Sequence, residues 1–292
     1  MKDNTVTEMK STKTSSSLTI IGQDMHIMNA EFVRAVAQQD GKSLATMAEK
    51  QVAAGADELD LNLGLSKKSG KRFQWAVETI RDAVDVPLFI SSHVLSHANI
   101  LEEYRGRLTV NSVTADPTTL ATAMEKGQEY GAKMVVLLVR PGLTPHSVDE
   151  RLQVAADVLE TAARVGFSLT DLYLDPLFHL RPDPVSWQLS RGVPDVDSVL
   201  ETIEMLPQLS EEKVRTLVAL SSASQFLPRA ERAGLHHLLL PLLVAAGLDA
   251  VILNCHDNKL MEIAGNPQSN IESDLSSIAQ VRADLDTATL PW

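Results

Sequence analysis

Apolar residues in this chain fall into short runs separated by longer stretches of helical period. The runs are Leu18–Gly22, Glu58–Leu63, Pro87–Ser91, Leu108–Ser112, Met134–Val139, Asp171–Leu177, Val214–Ser221 and Ala250–Asn254. Flanking Gly, Pro, Asp, Asn and Ser residues mark them as strands. Met134–Val139 (MVVLLV) is apolar throughout, the pattern of a strand covered on both faces. Between the runs, Ala30–Gln39, Ser43–Ala54, Phe73–Val84, His97–Tyr104, Thr118–Tyr130, Val148–Arg164, Val196–Leu206, Ala230–Ala246 and Lys259–Ala264 read as helices. This alternation predicts an α/β fold, a single closed (β/α)8 TIM barrel. An open doubly wound sheet is the alternative. It would carry a glycine-rich phosphate loop after its first strand, where Gly22-Gln23-Asp24-Met25-His26 offers one glycine.

Punctuation sharpens the pattern. Three helix-to-strand joints look alike: Gly55-Ala56-Asp57, Gly131-Ala132-Lys133 and Gly247-Leu248-Asp249. Glycine suits the left-handed position just past a helix end, so these joints predict one αβ turn used repeatedly. In Asp171–Leu177 (DLYLDPL), Pro176 cannot donate to a sheet ladder and must end the strand. That leaves the carboxylate of Asp175 at a C-terminal strand tip, the ligand side of a parallel sheet. An Asp-Pro turn initiator is the structural alternative. The segment Leu235–Leu243 (LHHLLLPLL) is apolar on every side. It predicts either a subunit interface, hence a homodimer, or burial beneath the C-terminal segment, with a kink or early end at Pro241.

Composition narrows the class. The 292 residues are 44% hydrophobic and 22% charged, and the net charge of -12 argues against nucleic-acid binding. No apolar run approaches the ~20 residues of a membrane span. A single cysteine, Cys255, fits a reducing compartment, and we expect a cytoplasmic protein. Residues 1–17 are polar and rich in Ser, Thr and Lys, and are expected to form a disordered tail on a barrel spanning 18–292.

In a barrel the strand ends carry the chemistry. They bear Asp60 and Asn62, Ser91 and Ser92, Asn111, Arg140, Asp175, Ser221 and Ser222, and Asn254. Singly, such groups more often cap loops. Together they form a mostly neutral ring of donors and acceptors, suited to a flat, hydrogen-bonding heterocycle. No nucleophile–base–orienter set is evident. His26, His93, His179 and His256 follow strands, and His26, Cys255, His256 and Asp257 raise the question of a metal. No metal-ligand spacing supports one, so no metal is expected. Lys67, Lys68, Lys71 and Arg72 lie after the second strand and read as a solvated loop or as partners for an anionic tail.

The stretches Ile20–Gly22, Gly55–Gly64 (GADELDLNLG), Val110–Asp116 (VNSVTAD), Asp171–Leu177, Ala219–Gln225 (ALSSASQ) and Gly247–Asp257 (GLDAVILNCHD) resemble the pterin-binding barrel family. Within it they look most like the methyltetrahydrofolate:corrinoid methyltransferases. The likeness to dihydropteroate synthase is at the level of the fold, because LNLGLSKKSG stands where that enzyme has a glycine-rich, Arg-containing segment. The resemblance implies a pterin in the barrel mouth, with Asn111 and Asp175 at pterin-contacting positions. It also implies transfer of the methyl group between 5-methyltetrahydrofolate and the cobalt of a corrinoid. The chain departs from the family where a carboxylate becomes Ser91, an asparagine reaching N5 becomes Ser222, and Gln23-Asp24-Met25-His26 follows the first strand. The expected site is therefore Ser222 and His26 as catalytic groups. Asp60, Asn62, Ser91, Asn111, Asp175, Ser221 and Asn254 would bind substrate. No Asp-x-His-x-x-Gly cobalamin-ligand pattern occurs, so cobalamin would arrive on a separate corrinoid protein. A different methyl donor, or binding without turnover, are the other readings.

Overall fold

Why one strand face meets helices and the other meets only strands follows from closure of the sheet. The computed structural model describes residues 18–64, 70–178, 196–225 and 228–265. The strands are β1 Thr19–His26, β2 Glu58–Asn62, β3 Leu88–Ile90, β4 Leu108–Thr114, β5 Lys133–Leu137, β6 Leu172–Asp175, β7 Arg215–Ala219 and β8 Ala250–Leu253. Each pairs in parallel with its sequence neighbours, and β1 pairs with β8, which closes the barrel. The helices are α1 Ala30–Gln38, α2 Gly41–Ala53, α3 Gly70–Ala83, α4 Ala98–Glu103, α5 Leu120–Glu129, α6 Val148–Val165, α7 Val196–Met205, α8 Leu220–Ala223, α9 Arg229–Ala245 and α10 Asn258–Gly265. The expected tail, Lys67, Lys68, His179 and everything after Gly265 lie outside the described residues.

Two buried clusters record the alternation of strand side chains. Ile21, Phe89, Val135, Tyr173, Leu217, Ala250 and Ile252 fill the barrel interior. The opposite parity, including Leu59, Leu61, Leu88, Ile90, Leu172 and Leu174, packs against the helices. The repeated joints behave alike: Gly55, Gly131 and Gly247 have φ of 103°, 64° and 104°. In two of them the following aspartate also stitches strands together. Asp57 accepts the Ile20 N–H at 2.8 Å, and Asp249 accepts the Thr216 N–H at 2.9 Å. Each carboxylate thus satisfies the backbone donor of the second residue of an adjacent strand.

Three expectations change. β1 runs past Gly22 to His26. Ser221 and Ser222 are not strand residues, because β7 ends at Ala219 and both lie on the single turn α8. The apolar segment Leu235–Leu243 is taken up inside the chain: Leu235, Leu239, Leu240 and Leu243 are buried within α9, in one core cluster with Leu260 and Ile263 of α10. The helix continues through Pro241 to Ala245. The apolar excess therefore needs no second subunit to explain it. Among the described residues no helix is long and apolar enough to cross a membrane.

Candidate functional site

All strands run the same way, so their C-terminal ends share one rim, the mouth. The inward face of β2 presents Glu58 toward the floor, then Asp60, then Asn62 at the rim. Asp60 is 4% exposed, and burial pushes its carboxyl up to about 7. Its partner is Asn111, whose Nδ2 donates to Oδ1 at 2.9 Å and partly opposes that rise. Asn111 sits where β4 changes register: Asn111 pairs with Val135 but Val113 with Val136, so Ser112 is an extra residue. The Asn111–Ser112 peptide is cis.

Asp175 is the last residue of β6 and is 6% exposed. Burial pushes it, too, up to about 7, against the opposing effect of the Leu177 N–H, which donates to Oδ1 at 2.8 Å. That contact is an Asx turn, and it holds Leu177 at φ +57°, a left-handed conformation uncommon for leucine. The fully buried Arg151 of α6 fixes the same bend, donating Nε to the Pro176 carbonyl at 3.0 Å. Held strain of this kind is found at binding sites. The turn and the strand tip are one device: the carboxylate closes the bend with Oδ1.

Asn62 and Asn254 use the same device at their own tips. Asn62 Oδ1 accepts the Gly64 N–H at 2.9 Å, and Asn254 Oδ1 accepts the His256 N–H at 3.0 Å. Each keeps its amide N–H groups for the mouth. Ser91 is buried just past β3, at the entry to the tight turn Ser92–Ser96. Ser221 is exposed and Ser222 half-buried on α8. His26 pairs in register with Asn62 and so shares its inward face. Its Nδ1 accepts the Met28 N–H at 3.1 Å, which assigns the ring proton to Nε2, and burial lowers its pKa. His26 is thus a neutral donor at physiological pH.

Other polar groups turn away from the mouth. Arg140 pairs with Asp157 of α6, so among the described residues the tip ring keeps no cation on the strands themselves. His256 Nε2 meets Asp24 Oδ2 at 2.6 Å, and His237 Nε2 meets Asp257 Oδ2 at 2.8 Å. Of the groups raised as metal candidates, His26 meets the Met28 N–H, His256 meets Asp24 and Asp257 meets His237, and no metal-holding group of three occurs among the described residues. Cys255 is buried, its thiol pushed up to about 12. Lys71 and Arg72 are exposed at the start of α3. Two supporting residues escaped the sequence reading, Arg151 and Gln51. Their signal was a polar side chain on the buried stripe of a helix, which periodicity alone reads as an exception.

The strand tips thus present two buried carboxylates, three amides and a neutral imidazole, a set of hydrogen-bond acceptors and donors. The profile of a family described as Pterin binding enzyme matches residues 25–254. Among solved structures, the chain is similar to Yersinia pestis DHPS with a pterine-sulfa conjugate, at 17% identity and TM-score 0.62, covering 88% of this chain and 94% of that one. It is similar to Xanthomonas albilineans dihydropteroate synthase with 4-aminobenzoic acid, at 15% identity and TM-score 0.63, covering 87% and 92%. It is also similar to Thermus thermophilus dihydropteroate synthase in complex with 6HMPPP, at 18% identity and TM-score 0.58, covering 87% and 94%.

Proposed function

The chain belongs to the pterin binding enzyme family, and from that premise we propose that it is a methyltransferase acting between 5-methyltetrahydrofolate and the cobalt of a corrinoid held on a separate protein. The observation that carries this reading is the mouth itself: Asp60 and Asp175 are buried acceptors, Asn111 is held by Asp60, and no strand-tip cation survives among the described residues. A pterin presents adjacent N–H donors along one edge, which buried carboxylates read well. A reaction that releases a phosphorylated leaving group would call for cations at the same place. The lack of an unpaired strand-tip cation among the described residues therefore favours methyl transfer over condensation with loss of such a group.

In the transfer the N5–CH3 bond breaks with its electron pair staying on nitrogen, while the cobalt(I) pair forms the new carbon–metal bond. N5 then needs a proton or a strengthening hydrogen bond. His26 is neutral with its proton on Nε2, so it supplies a hydrogen bond, directly or through a water, instead of acting as a strong acid. The Ser222 hydroxyl is the second donor, shorter than an amide and half-buried on α8. Both are weaker than a charged donor, so turnover should be slow with free cobalamin.

Calorimetry with tetrahydrofolate and its methyl form tests the pterin reading, and absence of binding at millimolar ligand refutes it. Mixing the protein with methyltetrahydrofolate and reduced cobalamin tests the transfer through the methylcobalamin spectrum. Pterin binding without that spectrum, with free and with carrier-bound corrinoid, makes the chain a binding module.

A further inference from the structure

We infer that Gln51, a buried glutamine on α2, is a positioning residue that holds a bulge in β1 and thereby turns His26 into the mouth. The inference goes deeper into the same site and rests on the pterin reading for its functional meaning.

The geometry begins with strand parity. Ile21 belongs to the interior cluster and faces inward. Strict alternation from Ile21 would send Met25 inward and His26 outward. The observed order is the reverse: Met25 is fully buried against the helix layer and pairs with Leu61, while His26 pairs with Asn62. Three steps on β1, from Gly22 to Met25, answer two on β2, from Leu59 to Leu61. One extra residue lies in β1, and a one-residue slip exchanges the faces of everything beyond it.

A bulge leaves a backbone donor without a ladder partner, and inside a protein that donor must be satisfied. Gln51 satisfies it. Its side chain is fully buried, and Oε1 accepts the Asp24 N–H at 3.0 Å. The amide reaches that point through the space over Gly22, where a Cβ would lie 2.4 Å from Gln51 Oε1 and 3.2 Å from Leu59 Cδ2. Gly22 thus has a steric reason to be glycine. The Asn29 amide donates to the Asp24 carbonyl at 2.9 Å, and His256 holds the Asp24 carboxylate, so the segment is clamped on three sides. Without the Gln51 acceptor, the strand regains its ladder by losing the bulge, and His26 leaves the mouth.

Nuclear magnetic resonance of the full chain tests this without reference to activity. In the wild type, a scalar coupling across the hydrogen bond should link the Asp24 nitrogen to the Gln51 side-chain carbonyl. Its absence overturns the inference before any variant is made. Gln51→Met keeps the volume but removes the acceptor. The expected result is loss of the hydrogen bond from the Ile27 N–H to the Asn62 carbonyl that marks the bulged register, a His26 pKa that rises toward 6.5, and Asp24 amide exchange faster by at least about tenfold. Gln51→Glu retains an acceptor oxygen and should restore the Ile27–Asn62 bond. Gly22→Ala, which crowds the glutamine from the other side, should reproduce the Gln51→Met result if that variant fails to fold. A retained Ile27–Asn62 bond and unchanged His26 pKa in either folded variant overturn the proposal. Tetrahydrofolate calorimetry on the wild type judges the pterin reading separately, and failure there leaves the magnetic-resonance result standing.

Discussion

Glu58 and Asp60 stand two residues apart on the same inward face of β2, yet the barrel treats their charges differently. Glu58, toward the floor, is raised by burial but pulled back by Lys133 and Arg215. Arg215 also donates to the Tyr173 hydroxyl at 3.0 Å, which ties that cation to the floor. Among the described residues, Asp60, toward the mouth, has only the Asn111 amide, and Asp175 only the Leu177 N–H, and both are raised to about 7. Nearby cations offset the buried charge at the floor, although Glu58 Oε2 has no hydrogen-bond partner among the described residues, whereas the mouth carboxyls rest on neutral donors, at a cost in stability. The asymmetry between the two ends of one strand is therefore electrostatic.

The largest expected effect comes from relieving the mouth. A carboxyl whose folded value is raised holds its proton between about pH 4 and 7 while the unfolded chain has released it. Stability therefore falls as pH rises through that window, and flattens above it. A rise from 3.8 to about 7 corresponds to on the order of 4 kcal/mol per group, as an upper figure. Asp175→Asn should therefore stabilise the unliganded protein by up to about 4 kcal/mol at pH 8 and little at pH 4, measured by denaturant unfolding. The same variant should weaken tetrahydrofolate binding by about 1.5–3 kcal/mol by calorimetry. Loss of stability at pH 8 would place Asp175 with the floor.

A change at the floor should do the opposite. Arg215→Met strips Glu58 of a cation and Tyr173 of a donor, and should cost about 2–4 kcal/mol of stability while leaving pterin affinity unchanged. A parallel loss of affinity would break the division between the two ends. Smaller again, Ser222→Asn supplies a longer donor beside the mouth. It should raise the methyl-transfer rate about tenfold, roughly 1.4 kcal/mol, with little change in stability. The smallest effect belongs to the surface: Glu102→Gln, which breaks an exposed pair with Arg105, should leave the unfolding midpoint in denaturant unchanged.

Much of this architecture was readable from the chain. The Asp-Pro step at Asp175-Pro176 placed a carboxylate at a strand tip, because proline ends a ladder whatever surrounds it. The glycine joints at Gly55, Gly131 and Gly247 announced left-handed turns for an equally local reason. Other features were not readable. Ser221 and Ser222 looked like the end of an apolar strand, since nothing in LVALSS marks where a strand gives way to a single helical turn. His26 looked like a loop residue, because a bulge is a two-strand property visible only in the register with β2. The apolar helix from Leu235 to Leu243 left two homes open, its own core or another subunit, and only packing against α10 decided between them.

By itself, then, the sequence determined the repeating strand–helix unit, the turn chemistry and the residue types that reach the rim, since these follow from periodicity and backbone stereochemistry within a few residues. Tertiary structure alone decided which carboxylates lie near cations and which rest on neutral donors, and which way His26 faces. Those outcomes depend on residues tens of positions apart, such as Gln51 over Gly22 and Asn111 against Asp60, and on the low dielectric that only a closed barrel creates around them.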